Sequence, residues 1–398
     1  MQRNSLQGVI DWLTGGARSA ARVDQFVTQT CERLVDCGLP LSRVGVFVRT
    51  LHPNMLGRHF VWRADGSVTM GAMPHGDQDE DYFLSSPLAI VFEQGQEVRK
   101  RLLDAGAGNV PFFAEMKDGG ATDYIALPLL MSDGTIHAVS WITQHPEGFT
   151  KAQLADLRGL MPALTRMIEV WLLRRTAAGL LNNYVGGRAG ARILAGQIRR
   201  GHTESMHAAI WLSDLRGFTP LSDRLPPEAV VEVLNTYFDC QVPAILNHGG
   251  EVLKFMGDGL LAVFPISDKE GDSETVCRRV LDAARECRKS VAAMTYSHQD
   301  EMLANFRFGL ALHIGKVLYG NIGGGDRLDF TCIGPAVNLA ARIEKIAARL
   351  NRTVLASTAF ASQADAGWTD LGLFSVAGFA AAERVYGLAD ETPSASAG

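Results

Sequence analysis

Residues 252–264 read Val-Leu-Lys-Phe-Met-Gly-Asp-Gly-Leu-Leu-Ala-Val-Phe. Two apolar, strand-like runs flank Gly257-Asp258-Gly259, which suits a tight hairpin with a carboxylate at its tip. A second acid has a similar setting. The apolar run Ala208-Ala209-Ile210-Trp211-Leu212 leads into Ser213-Asp214-Leu215-Arg216-Gly217-Phe218-Thr219. Either Asp alone reads as an ordinary turn residue. Two carboxylates held at strand ends can share hard cations such as Mg²⁺, which prefer oxygen ligands and keep phosphate oxygens as partners.

The sequence after Asp214 supports that chemistry. Arg216-Gly217-Phe218-Thr219 and the amphipathic stretch beyond predict a turn and a helix start, where backbone N–H groups attract phosphate. No GxxxxGK[ST] loop occurs, so this is not a Walker A site. Further on, Phe330-Thr331-Cys332-Ile333-Gly334 predicts a strand, and Pro335 suits the first position of the helix that follows. Leu339, Ile343, Ile346 and Leu350 mark its buried face. Asn338 and Arg342 are four residues apart and share another face. Taken singly, Arg342 is a solvated cation and Asn338 a mild helix flaw; together an amide and a guanidinium suit a sugar and a charged phosphorus.

These motifs carry a resemblance. The segment from about Ala208 to Leu388 resembles a class III nucleotidyl cyclase catalytic domain. The resemblance rests on residues 213–219, on 254–264, on Leu-His-Ile-Gly-Lys-Val-Leu-Tyr-Gly-Asn-Ile-Gly (312–323) and on Phe-Thr-Cys-Ile-Gly-Pro-Ala-Val-Asn-Leu-Ala-Ala-Arg-Ile-Glu (330–344), in the family's order. It implies a ferredoxin-like α/β (α+β sandwich) core. It also implies two Mg²⁺ (or Mn²⁺) ions per site, on Asp214, Asp258 and the Leu215 carbonyl. Arg216, Gly217, Phe218 and Thr219 would line the triphosphate. Lys254 would read the purine with Thr331, Asn338 would orient the ribose, and Arg342 would stabilise charge at the α-phosphate.

An ammonium only donates, so Lys254 suits the acceptor N1 of adenine, whereas guanine N1–H needs an acceptor. The resemblance therefore implies an adenylate cyclase making cyclic AMP from ATP. The alternatives are a guanylate or dual-specificity cyclase, or an inactive nucleotide-binding module. It further implies a homodimer whose sites are shared, with the two Asp from one subunit and Lys254, Thr331, Asn338 and Arg342 from the other. Two positions depart from the family pattern. Ala377 stands where a triphosphate-contacting base is usual, with Arg384 or Arg216 as substitutes, and Lys316 stands where an acid is usual. His313 reads as a structural residue.

Residues 1–175 form a different object. An amphipathic helix is predicted around Ala20–Cys37 and strands at 43–48, 59–62, 124–129 and 137–143. Ser132-Asp133-Gly134-Thr135 predicts a turn, and a helix runs from about Lys151 to Arg174. This order resembles a GAF-like α+β sensor domain, whose small-molecule or protein signal the residues do not name. His52, His59, His75 and His137 are candidate metal or haem ligands only in principle. The stretch 87–113 covers a pocket or forms a loop with a helix. Residues 176–205 read as a helical linker broken at Gly186-Gly187, 206–390 as the catalytic domain, and 391–398 as a disordered tail.

The 398-residue length suits two domains. The net charge of −5 gives no reason to invoke nucleic acid. Six cysteines without a CxxC indicate neither a disulfide framework nor a zinc site. The apolar stretch 159–173 is too short to span a bilayer, and the N-terminus lacks a signal peptide's pattern, so a cytoplasmic location is expected.

Overall fold

A computed structural model describes residues 5–52, 55–74, 86–104, 110–298, 301–325, 327–365, 367–375, 378 and 382–391. His75, Ala377 and residues 392–398, where the tail is expected, lie outside them. The chain divides into two units, residues 1–180 and 181–398.

The first unit contains α1 (Leu6–Thr14), α2 (Val23–Asp36), β1 (Arg43–His52), β2 (Met55–Arg63), β3 (Val68–Pro74), α3 (Pro87–Gln94), β4 (Val98–Arg101), α4 (Pro111–Asp118), β5 (Asp123–Leu130), β6 (Ile136–Thr143) and the start of α5 (Lys151–Val185). Its strands form one antiparallel sheet in the order β3-β2-β1-β6-β5-β4. One face packs on α1, α2 and α5. There Phe26, Leu34, Trp141, Leu157, Leu160 and Leu164 are buried. The other face packs on α3 and α4 through Leu88, Val91, Phe113 and Tyr124. Two buried acids pin connections. Asp123 takes Arg99 at 2.7 Å and the Phe149 amide at 3.0 Å, and Glu169 on α5 accepts from the Ser132 amide at 2.8 Å.

α5 does not stop near Arg174. It continues to Val185, carried by Ala177, Ala178, Leu180 and Leu181 through Gly179 and two Asn, with no proline after 174 to stop it. It ends at Gly186, whose φ of 88° favours glycine. The short helix α6 (Gly187–Leu194) follows.

The second unit continues with β7 (Thr203–Leu215), α7 (Phe218–Ser222), α8 (Pro227–Asp239), α9 (Val242–Asn247), β8 (Glu251–Met256), β9 (Gly259–Ile266), α10 (Asp272–Ala293), β10 (Tyr296–His298), β11 (Glu301–Leu303), β12 (Phe308–Gly324), β13 (Arg327–Ile333), α11 (Pro335–Leu350), β14 (Val354–Ser357), α12 (Thr358–Ala361), β15 (Trp368–Phe374) and β16 (Glu383–Leu388). Its main sheet runs β15-β16-β14-β12-β7-β9-β8, with β13 paired to β12. β12 and β14 are parallel and are joined through β13 and α11. This is the α/β sandwich expected of the cyclase resemblance. α10 buries Val276, Val280, Leu281 and Val291 against one face of the sheet. α11 buries Leu339, Ile343 and Ile346, each contributing about 1.5–3 kcal/mol of apolar burial.

Glu251 fixes the entry to this unit. Its carboxylate is 8% exposed and accepts from the amides of Arg188 and Ala189, at 3.1 and 3.3 Å, and from the Tyr319 hydroxyl at 3.0 Å. One acid thus satisfies the first turn of α6 and a buried phenol while starting β8. Glu251→Ala strands these donors and should lower stability by about 1–3 kcal/mol. Glu251→Gln keeps an acceptor and should recover most of it. A urea midpoint unchanged by Glu251→Ala would remove this assignment.

Candidate active site

β7 delivers Asp214 at its C-terminal end, directly opposite Gly259 at the start of β9. The β8–β9 turn carries Asp258, and its carbonyl accepts from the Leu215 amide at 3.3 Å. The two acids therefore sit on adjoining strand ends tied by backbone. A Cβ at 259 would sit tightly against the Ser213 and Met256 carbonyls, at 3.2 and 3.3 Å, so glycine fits this position most easily. Beneath them, the fully buried Ser213 hydroxyl donates to Gln241 Oε1 at 2.7 Å and anchors the strand.

The two acids are in electrostatic conflict. Burial, then the negative charges of Asp258 and Glu344, push the Asp214 carboxyl up to about 7, against the pull of Arg216. Two acids in such conflict, with half-open faces, fit a divalent ion whose remaining ligands are phosphate and water. Among the described residues no group of three or more His, Cys, Asp or Glu is gathered to hold a metal unaided.

Arg216 turns away from the Gly217 bend. Its guanidinium pairs with Glu344 of α11 at 2.7 Å, and its amide donates to the Arg307 carbonyl at 2.8 Å. It crosses Gly309 so closely that a Cβ there would lie 1.6 Å from it. Gly217, with φ of 71°, caps the short α7 that starts with Phe218 and Thr219. Arg384 forms an ion pair with Asp370. Both cations named as substitutes at the Ala377 position are thus engaged within the chain.

Asn338 and Arg342 are exposed on α11. A cavity of about 560 Å³ is lined by Asp214, Arg216, Arg342, Glu344, Lys345 and Arg349, so one chain brings Asp214 and Arg342 to the same hollow. Thr331 is placed elsewhere along the sheet. It pairs with Gly320 of β12, whereas Asp214 pairs with Gly309 of the same strand. Eleven residues of β12 separate those two partners, about 36 Å of strand contour.

Lys254, near the end of β8, pairs with Asp329 of β13. Sequence reasoning missed Asp329. It precedes Thr331 by two residues, so the period-two alternation of a strand could have placed both on one face. Two histidines, His313 and His137, resolve simply. His313 is buried with Nδ1 2.7 Å from the Ser357 hydroxyl, and burial lowers its pKa to about 4. Burial also lowers His137 to about 4, and its Nδ1 accepts from the Arg49 amide at 3.2 Å. Both are structural, neutral imidazoles.

Residues 202–386 match the adenylate and guanylate cyclase catalytic domain family. This segment of the chain is a class III nucleotidyl cyclase catalytic domain. An uncharacterized protein of Mycobacterium tuberculosis is 29% identical over 237 residues, covering 55% of this chain and 40% of that protein. The match thus spans about two-fifths of that relative's length. Adenylate cyclase 1 of Rhizobium meliloti is 27% identical over 218 residues, covering 53% of this chain and 30% of the relative. Among solved structures, the adenylyl cyclase CyaB from P. aeruginosa is 25% identical, covering 48% of this chain and 97% of that one, with a TM-score of 0.39. The guanylyl cyclase Cya2 is 27% identical, covering 49% of this chain and 97% of that one, with a TM-score of 0.38. Domains of this class bind nucleotide, generally with divalent metal ions, and commonly dimerise. Among the described residues no helix is long and apolar enough to cross a membrane.

Proposed function

We propose that the chain is an adenylate cyclase that converts ATP to 3′,5′-cyclic AMP and pyrophosphate, under the control of a GAF-like first unit. The carrying observation is the pair of acids at the ends of β7 and the β8–β9 turn, with a donor-only ammonium at Lys254 on the same hairpin.

Asp214, Asp258 and the Leu215 carbonyl would hold two Mg²⁺ or Mn²⁺ ions, which neutralise triphosphate charge and acidify the ribose hydroxyl. The backbone of Gly217, Phe218 and Thr219 offers N–H groups to the phosphates. Arg216, held by Glu344, adds positive potential from behind that bend rather than a direct grip. Lys254 donates to adenine N1, with Thr331 beside it. The amide of Asn338 orients the ribose. The Arg342 guanidinium stabilises negative charge as the 3′-oxygen bonds to the α-phosphorus and the bond to the pyrophosphate oxygen breaks. The hydroxyl proton passes to water or substrate, since no side-chain base is assigned. Positioning and charge neutralisation carry the rate.

The test is turnover of ATP and GTP with Mg²⁺ and Mn²⁺, in the wild type and in Lys254→Glu. Wild type should form cyclic AMP. Lys254→Glu should lose about tenfold to thousandfold in kcat/KM for ATP, because N1 then faces a second acceptor. Unchanged ATP turnover in that variant would exclude Lys254 as the purine reader, and cyclic GMP as the sole wild-type product would exclude the adenylate assignment.

A further inference from the structure

We infer that Lys345 and Arg349 hold the β- and γ-phosphates of the nucleotide and the departing pyrophosphate, continuing along α11 the line that Asn338 and Arg342 begin; this rests on the nucleotide cyclase reading above. Asn338, Arg342, Lys345 and Arg349 stand at positions i, i+4, i+7 and i+11 of α11. At about 3.6 residues per turn these fall within about 60° of arc, so they form one stripe along the helix. All four residues are exposed. The opposite side of the helix is fixed in the core by Leu339, Ile343, Ile346 and Ala347, so the stripe sits on a well-anchored element. Arg342, Lys345 and Arg349 also line the cavity of about 560 Å³ that contains Asp214 and Ser375.

Charge in that hollow is unbalanced. Arg216 is matched by Glu344 at 2.7 Å. Among the described residues, the side chains of Arg342, Lys345 and Arg349 make no ion pair or hydrogen bond. The remaining acid of the hollow is Asp214, which is assigned to the metal ions. Like charges three and four residues apart destabilise a helix, and a polyanion laid between them removes that conflict. Arg349 lies in the last turn of α11, where a cation meets the negative end of the helix dipole. Lys345 lies a turn earlier and gains little from that dipole. The order along the stripe also matches the order along the substrate. Lys345 is about 4.5 Å of helix axis beyond Arg342, and Arg349 about 6 Å beyond Lys345. A nucleotide laid along α11 thus meets Asn338 at the ribose, Arg342 at the α-phosphate and the two further cations at the outer phosphates. When the bond from the α-phosphorus to the bridging oxygen breaks, its electron pair stays on the pyrophosphate, and an ammonium and a guanidinium suit that charge. Arg216 and Arg384 are each engaged in an ion pair, whereas Lys345 and Arg349 are available for the role left open at Ala377.

The experiment compares wild type, Lys345→Gln, Arg349→Gln, the double variant and Lys345→Arg, each as the full chain with Mg²⁺ or Mn²⁺. It measures kcat and KM for ATP, inhibition by pyrophosphate, and inhibition by adenosine, which carries no phosphate. Lys345→Gln should raise KM for ATP and Ki for pyrophosphate together, by about tenfold, and the double variant should raise both further. Lys345→Arg should keep both within about threefold of wild type, because it keeps the charge. Inhibition by adenosine should stay at the wild-type level in every variant. A double variant whose KM and pyrophosphate Ki lie within about twofold of wild type overturns the inference, leaving Arg349 a partner of the helix dipole and Lys345 a solvated cation. An equal weakening of adenosine overturns it as well, because the whole pocket has then changed. Wild-type protein that forms no cyclic nucleotide would sink the cyclase reading instead, and calorimetric binding of tripolyphosphate with Mg²⁺ to wild type and the double variant would still decide the role of the two cations.

Discussion

Asp258→Asn should abolish cyclic nucleotide formation, by about a thousandfold or more, in a protein that remains folded. A metal at a reacting phosphate is worth several kcal/mol, and each 1.4 kcal/mol is tenfold in rate. The variant also has a readout independent of turnover. In the metal-free chain, burial first and the Asp258 charge second raise the Asp214 carboxyl, so the two acids repel each other. Replacing one charge with an isosteric amide relieves that conflict, so the metal-free variant should melt at the same temperature as wild type or higher. Mg²⁺ or Mn²⁺ with a nucleotide should stabilise wild type and have little effect on the variant, since ligand stabilisation depends on affinity for the folded state. Near-normal turnover in folded Asp258→Asn, or full metal-dependent stabilisation, would remove both acids from the metal role.

The catalytic unit was legible because its chemistry lies in local strings. A strand, a Gly-flanked Asp and another strand define the β8–β9 turn almost without tertiary help. The helix after Pro335 follows from its apolar spacing. What the strings did not reveal depends on pairing across the sheet. Arg216 reads as a phosphate contact from its neighbours in sequence, yet it reaches Glu344, 128 residues away. Glycine at 309 is what lets it pass, and that close approach appears only when β7 and β12 are side by side. Asp329 was missed for the same reason, since its partner Lys254 comes from a strand 75 residues earlier. Glu251 carries no motif in the sequence, yet burial makes it the acceptor for three donors. The first unit shows the converse. Four of its six strands and most of its long helix follow from alternation and periodicity, while β3 (Val68–Pro74) and β4 (Val98–Arg101) did not, and no short motif marks a ligand. The cavity of about 460 Å³ beside Phe47, His59, Leu88 and Phe112 is assembled from segments far apart in the chain.

The other large effect concerns assembly. If the active site is shared between two copies, a mixture of two inactive variants should regain activity. The acids at the end of β7 and the Thr331 region of β13 lie eleven residues of β12 apart in one chain. A twofold pairing of identical domains would bring the acids of one copy to the Lys254, Thr331, Asn338 and Arg342 of its partner, twice per dimer. Asp214→Ala combined with Arg342→Ala then yields one site with both lesions and one with neither. Co-expressed, purified heterodimers should recover up to about half the wild-type rate if the two sites act independently. The single-chain hollow that holds both Asp214 and Arg342 makes the opposite outcome informative. Were Arg342 to serve the acids of its own chain, each site in the heterodimer would carry one lesion and the mixture would stay as inactive as its parents. Asp214→Ala with Asp258→Ala is the control: both lesions fall on the same side of either arrangement, so that mixture should show no rescue. Recovery in the first pair alone establishes a shared site, and dilution of wild type should then lose activity as the dimer dissociates. Failure of the first pair, in verified heterodimers, would assign Arg342 to the acids of its own subunit.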